Sequence, residues 1–252
     1  MGPDALFLLV IAGMGAGFIG SMAGLASLVS YPALLAVGLS PVAANVTNTV
    51  ALLGTVVGAA AGSRPELAGQ RARIGRLCLI TAAGGAVGGA LLLLTPPGSF
   101  TVVVPWLIGG ASVLLLAGPR LRAVGARPEG TGLAPPTAVA AFSVAVYGGY
   151  FGAAAGVLML ALLSTVWAQS LARSNAAKNM ATGAANLIAG IVFAFTGKVY
   201  WPAAAALCVG SLIGSRIGPA VVRRLPPAPL RIAIGLAGIG LAGVLAWQEF
   251  GP

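Results

Sequence analysis

The sequence contains no histidine and only four acidic residues, and each acid lies near a terminus or between apolar runs. The four are Asp4, Glu66, Glu129 and Glu249. Such a chain cannot build a histidine-based catalytic pair, a histidine metal site or a buried carboxylate pair. We therefore expect no catalytic residue, no metal and no cofactor, and a membrane enzyme is the least favoured function.

Charge of either sign is also scarce. Only 7% of the residues are charged, 58% are hydrophobic, and the mean hydropathy is +1.00. A soluble domain must cover its surface with polar groups, whereas a surface that faces lipid need not. The net charge of +10 comes from basic residues in short gaps between apolar runs, which indicates a topology signal and not a nucleic-acid partner. The sequence predicts an all-α integral membrane protein.

Ten predominantly apolar segments follow one another, and most approach the roughly 20 residues that a membrane-spanning helix needs. Two of them, 25–39 and 157–168, are short, and Pro32 interrupts the first. We expect about eight to ten transmembrane helices, some of them broken or re-entrant. The segments are residues 5–23, 25–39, 43–62, 74–95, 100–118, 133–155, 157–168, 175–196, 201–221 and 230–247.

The two halves of the chain resemble each other. Residues 17–24, Gly-Phe-Ile-Gly-Ser-Met-Ala-Gly, match residues 149–156, Gly-Tyr-Phe-Gly-Ala-Ala-Ala-Gly. Residues 40–45 match 170–175, and the pair Gly84 and Gly88 matches Gly210 and Gly214. Matches in the same order at nearly constant spacing are typical of an internal duplication. We predict a first membrane repeat over 1–131 and a second over 132–252.

Basic residues are concentrated in particular gaps, which the positive-inside rule places in the cytoplasm. Both termini then lie on the outer side of the cell membrane. The gap 63–73 lies inside and its counterpart 197–200 outside, so the two repeats are inverted, as in many secondary transporters. The basic residues of these gaps are Arg64, Arg71, Arg73, Arg76, Arg120, Arg122, Arg127, Arg173, Lys178, Arg223, Arg224 and Arg231.

In each half, the short interrupted segment is followed by a polar stretch that opens a helix. Paired broken segments point to a transport site, and neutral donors at helix N-termini suit an oxyanion. Proton-coupled and cation carriers usually place acids or histidine in the membrane, and none occurs in these apolar segments. The stretches 40–49 and 170–179 supply the candidate substrate-binding residues Asn45, Asn48, Thr49, Asn175, Lys178 and Asn179.

Structural roles compete with binding at these positions. Ser40 and Ser170 are also suited to cap helix N-termini, and the asparagines to bond neighbouring helices. We expect Asn186 to join helices and Arg216 to extend its charge to the membrane surface. The spacing of Gly148, Gly152 and Gly156 predicts a helix face that approaches another helix closely.

The glycine pattern resembles that of a known family. Residues 13–39 resemble the opening of the sulfite exporter TauE/SafE family of anion permeases, and residues 149–156, 174–179 and 193–201 resemble its second half. Residues 210–218 are similar to its late glycine-rich helix. The resemblance implies transport of small anions such as sulfite, organosulfonates or related organic anions.

We therefore expect a permease or exporter that moves small anions by alternating access at the repeat interface. A carrier of a neutral solute or a cation is the alternative. The expected partners are the anionic substrate and the lipid bilayer. Whether two copies of the chain form a homodimer stays an open question.

Overall fold

A computed structural model describes residues 1–96, 133–153, 155–167 and 169–222, together with isolated positions between 98 and 116 and between 232 and 247. The described chain is helical and contains no strand, so the predicted all-α class is confirmed. The predicted segments 100–118 and 230–247 lie largely outside the described residues. So do the arginines at 120, 122, 127, 223, 224 and 231.

Six helices lie within residues 1–96 of the first half. Pro3 and Pro41 each occupy the first turn of a helix, where the missing N–H costs nothing. The predicted segment 43–62 is two helices joined at Leu52, where ψ is -3° instead of the helical value of about -42°. The helices are α1 (Pro3–Ala23), α2 (Ala26–Ala36), α3 (Pro41–Ala51), α4 (Leu53–Gly62), α5 (Arg64–Leu67) and α6 (Arg71–Leu94).

Four helices lie within residues 133–222 of the second half. The third of them begins at Leu171, four residues before the predicted start, because Ser170 caps it and accepts a hydrogen bond from the N–H of Arg173. Ser40 stands at the equivalent position before α3 but makes no side-chain cap bond. The helices are α7 (Pro135–Tyr150), α8 (Ala155–Val166), α9 (Leu171–Ala194) and α10 (Trp201–Val222).

Within the described residues, four helical stretches are long and apolar enough to cross a membrane: Pro3–Ala23, Pro41–Gly62, Arg71–Leu94 and Trp201–Val221. Large apolar side chains stand exposed on the outside of the bundle, among them Phe7, Leu79 and Phe195. Such a surface suits lipid tails. The two short predicted segments are α2 and α8, with 11 and 12 residues, about half the length of a span.

Glycines let helices of opposite halves approach backbone to backbone. A Cβ at Gly17 would overlap the carbonyl of Ser211 in α10, and one at the matching Gly149 would overlap the carbonyl of Gly85 in α6. In the same way Gly88 lies against α7 and Gly214 against α1. Matched glycines therefore make matched contacts between the halves. This is compatible with duplication, while the inverted orientation stays a prediction.

Two contacts define opposite ends of the bundle. The guanidinium Nη2 of Arg173 donates to the carbonyl of Ala68 at 3.1 Å, so the start of α9 lies beside the arginine-bearing connection 63–70. The N–H of Tyr200 donates to the hydroxyl of Thr47 at 3.0 Å, so the connection after α9 lies beside α3. The arginine-bearing gaps 63–73 and 170–173 thus share one end.

Candidate functional site

The two interruptions predicted from the sequence meet each other inside the bundle. After α1, Gly24 adopts a left-handed conformation with φ of 81°, and after α7, Gly152 does the same with φ of 79°. Any other residue would be strained there. A Cβ on Gly24 would overlap the backbone of Gly156, so the two breaks are in direct contact. Gly152 therefore lies at a turn, and the predicted continuous glycine face is wrong at this position.

A cavity of about 60 Å³ lies beside this contact. One water needs about 10–15 Å³ on the same measure, so there is room for several waters or a small ion. Its walls combine glycine and apolar residues with five polar side chains, Ser27, Thr55, Asn179, Thr182 and Asn186. No acidic or basic side chain lines it among the described residues.

The N-termini of two short helices converge on the cavity. Ala26 and Ser27 open α2, Ala155 and Gly156 open α8, and all four line the cavity wall. The first N–H groups of an α-helix have no intrahelical partner, and the helix dipole concentrates about half a positive charge there. The cavity thus receives positive potential from both halves without a cationic side chain in its lining.

Two polar side chains of the cavity have unused hydrogen-bonding capacity. The hydroxyl of Thr55 is buried and makes no hydrogen bond within the described chain. Asn186 shows no bond to a described residue, so its predicted role as a link between helices has no support here. Such groups are available to a ligand. Sequence reasoning missed Thr55 because threonine is common in membrane helices and its exposure to a cavity depends on packing.

The structure buries all six candidate residues of the polar stretches. Three of them lie on α9 and donate to the C-terminal end of α1. The side-chain amides of Asn175 and Asn179 donate to the carbonyl of Ser21 at 2.8 and 3.1 Å. The ammonium of Lys178 donates to Gly20 at 3.0 Å and to Ser21 at 3.4 Å.

These bonds satisfy the carbonyl of Ser21 at the end of α1 and give a second donor to the carbonyl of Gly20, which already accepts from the N–H of Gly24. A cation is favoured at that negative end of the helix dipole. Gly20 and Asn179 also line the cavity, so Lys178 lies directly behind its wall. Asn179 is the one candidate residue that reaches the lining itself.

Of the three candidates of α3, Asn45 contacts the break after α7, and Asn48 contacts α2, which follows the break after α1. The amide of Asn45 donates to the carbonyl of Tyr150 at 2.9 Å, at the C-terminal end of α7. Asn48 donates to the hydroxyl of Ser27 at 3.1 Å and accepts from Ser30, both on α2. Thr49 donates to the carbonyl of Asn45 within its own helix. The aligned residues Asn45 and Asn175 therefore each hold the end of a helix from the opposite half.

Arg216, which we expected to extend towards the membrane surface, is exposed. The two cysteines, Cys78 and Cys208, are free thiols packed within the helices.

Known proteins match this chain over most of its length. The model of the family described as "Sulfite exporter TauE/SafE" matches residues 9–245. The chain is 27% identical over 253 residues to the "Probable membrane transporter protein YfcA" of Escherichia coli K12, covering 99% of this chain and 92% of that protein. It is 26% identical over 222 residues to a "Probable membrane transporter protein" of Haemophilus influenzae Rd, covering 88% and 87%.

Proposed function

Because this chain belongs to the sulfite exporter TauE/SafE family, we propose that it carries small anions, such as sulfite, organosulfonates or related organic anions, across the cell membrane. Membership makes the chain a membrane transporter, and the substrate class is our own assignment. One observation carries that assignment: the N-termini of α2 and α8 converge on a cavity that no described carboxylate lines.

The electrostatics of the cavity favour an anion over the alternatives. Two helix N-termini together contribute about one unit of positive charge, and they act at short range in a medium of low dielectric. The C-terminal ends of α1 and α7 also reach the cavity wall, at Gly20 and Gly148. Carbonyls at these ends accept hydrogen bonds from Lys178 and Asn45, which leaves the N-termini of α2 and α8 to favour an anion over a cation or a neutral solute. The hydroxyls of Ser27 and Thr55 and the amide of Asn186 add neutral donors.

The size of the cavity supports a compact substrate. A volume of about 60 Å³ accommodates an oxyanion of a few heavy atoms. A longer organosulfonate would require the walls to separate during transport. We therefore favour sulfite-sized anions over larger organic anions.

Lys178 supplies a full positive charge behind the cavity wall. Its ammonium holds the carbonyls of Gly20 and Ser21, and Gly20 faces the cavity. An anion at the cavity interacts with this cation through the low-dielectric interior, while Asn45 and Asn175 fix the ends of α7 and α1. In this proposal Lys178 attracts the substrate, and most other candidate residues of the polar stretches position the helix breaks.

Alternating access would occur at the contact between the two repeats, 1–131 and 132–252. The matched glycine contacts of Gly17 with Ser211 and of Gly149 with Gly85 support equivalent surfaces in the two halves. Inverted repeats with equivalent surfaces can exchange conformations, so that the breaks open to one side and then to the other.

Counterflow of ³⁵S-labelled sulfite in proteoliposomes tests the proposal. Vesicles preloaded with unlabelled sulfite should accumulate label faster than protein-free vesicles, and preloaded methanesulfonate should give a smaller effect because it is larger. Movement of sodium or an amine without any anion flux would contradict the proposal and favour the alternative carrier.

A further inference from the structure

A second group of donors lies at the arginine-bearing end of the bundle, away from the cavity. The guanidinium carbon of Arg73, in the first turn of α6, lies 3.7 Å from the ring centroid of Trp167. Trp167 follows α8 directly and is only 2% exposed. Arg173, in the first turn of α9, donates to the carbonyl of Ala68 and repels Arg73 electrostatically. None of these residues lines the cavity.

The donors of this cluster exceed the acceptors that the described residues offer. The Nε of Arg73, the Nε of Arg173 and the indole Nε1 of Trp167 are all buried, and none has a hydrogen-bond partner in the described part of the chain. A buried donor without a partner is costly, and two cations that repel each other add to the cost. One bound anion would remove both costs.

We propose that Arg73, Arg173 and Trp167 form a binding site for the oxyanion group of a phosphate, sulfate or sulfonate. Guanidinium groups bind such groups through paired, charge-assisted hydrogen bonds, and an indole N–H can only donate. Arg173 also stands at the N-terminus of α9, where the helix dipole favours an anion. The oxyanion comes from the headgroup of an anionic lipid or from a free ion in solution.

Sulfate binding to the purified full-length protein tests the site. In a neutral detergent, sodium sulfate is titrated by calorimetry at an ionic strength held constant with sodium chloride. Arg73→Gln and Arg173→Gln should each weaken the binding by about tenfold, because each removes a charge-assisted contact. Trp167→Phe keeps the stacked ring and removes the N–H, and it should weaken binding by about threefold. Arg71→Gln, on the same turn but exposed, is the matched control and should bind like wild type.

Two further measurements distinguish this site from the cavity and a lipid headgroup from a free ion. Thr55→Val changes the cavity only, so it should leave the arginine-dependent sulfate binding intact even if anion transport fails. Native mass spectrometry counts the phosphatidylglycerol molecules that each variant retains. Fewer retained lipids in Arg73→Gln and Arg173→Gln identify a lipid headgroup, whereas a loss of sulfate binding with lipid retention unchanged identifies a free ion. Wild-type sulfate and lipid binding in both variants, or an equal loss in Arg71→Gln, overturns the proposal.

Discussion

The ammonium of Lys178 donates a hydrogen bond of 3.0 Å to the carbonyl oxygen of Gly20. The contact brings a buried cation of α9 to the C-terminal end of α1, and Gly20 forms part of the cavity wall. Lys178 is the only charged residue among the six candidates, and it is therefore joined directly to the break after α1. A perturbation of either should be felt at the cavity.

Replacing Lys178 by methionine should lower the initial rate of sulfite uptake by tenfold or more, equivalent to about 1.4 kcal/mol. Methionine keeps the length of the side chain and removes the charge that attracts the anion. Lys198→Met is the matched control, because Lys198 is exposed in the connection after α9. Wild-type rate and affinity in Lys178→Met would place the substrate elsewhere.

Thr55→Val should weaken sulfite binding and at the same time make the protein more stable. Valine has the shape of threonine without the hydroxyl, and the hydroxyl of Thr55 is buried without a described partner. Its removal should raise the free energy of unfolding by about 1 kcal/mol while weakening sulfite affinity several-fold. Thr81→Val is the control, since the buried Thr81 hydroxyl bonds the carbonyl of Cys78 outside the cavity. It should lose stability and keep transport, as seen by thermal melting and uptake. A loss of stability in Thr55→Val would contradict the assignment.

Gly24→Ala tests the contact between the two breaks. Gly24 and Gly38 both have positive φ, of 81° and 91°, so alanine costs about 1–2 kcal/mol at either position. Only at Gly24 does the added Cβ overlap another part of the chain, the backbone of Gly156, because Gly38 has open space around it. Gly24→Ala should therefore melt at a lower temperature than Gly38→Ala and transport less. Equal behaviour of the two variants would mean that the breaks do not need close contact.

The elements that line the cavity could be predicted from the sequence. The two short interrupted segments are α2 and α8, because their length and the matching glycines near them repeat in both halves. The burial of the candidate residues also follows from their position in the apolar pattern. Gly24 and Gly156 were recognisable as a matched pair, although their direct contact was not.

The partners of the polar side chains could not be predicted. Sequence places Asn175 and Lys178 at the start of a helix, but the carbonyl of Ser21 that they share is brought there by tertiary packing. The pattern of Gly148, Gly152 and Gly156 fits a helix face, and only the packing of α7 against α8 reveals the positive φ at Gly152. It is likewise the packing of the helices that places Thr55 and Asn186 at the cavity. Local pattern gives the elements, whereas side-chain contacts depend on how those elements pack.

Reporter fusions should test the predicted orientation. A compartment-specific reporter inserted in the connection 63–70 should report the cytoplasm, because this end of the bundle carries Arg64, Arg71 and Arg173. A reporter at the C-terminus should report the outside. Insertion at Lys198 gives a second outside position on the opposite end. Finding the connection and the C-terminus on the same side would refute the inverted arrangement of the repeats.

Membrane potential should drive the flux of a charged substrate. The described cavity lining has no carboxylate and the chain has no histidine, so there is no evident internal proton acceptor to balance the charge of the anion. Each uncompensated charge then gains about 2.3 kcal/mol per 100 mV, which is about fiftyfold in the distribution ratio at equilibrium. An inside-negative potential should favour export of an anion.

The measurement uses proteoliposomes loaded with labelled methanesulfonate, whose charge does not change between pH 6 and pH 8. A potassium gradient with valinomycin sets the potential, and efflux should accelerate when the interior becomes negative. The same efflux should change little between pH 6 and pH 8, because no group of the described lining titrates in that range. Efflux that ignores the potential but follows the pH gradient would show that a proton moves with the anion, and a proton carrier would then have to be sought outside the cavity lining.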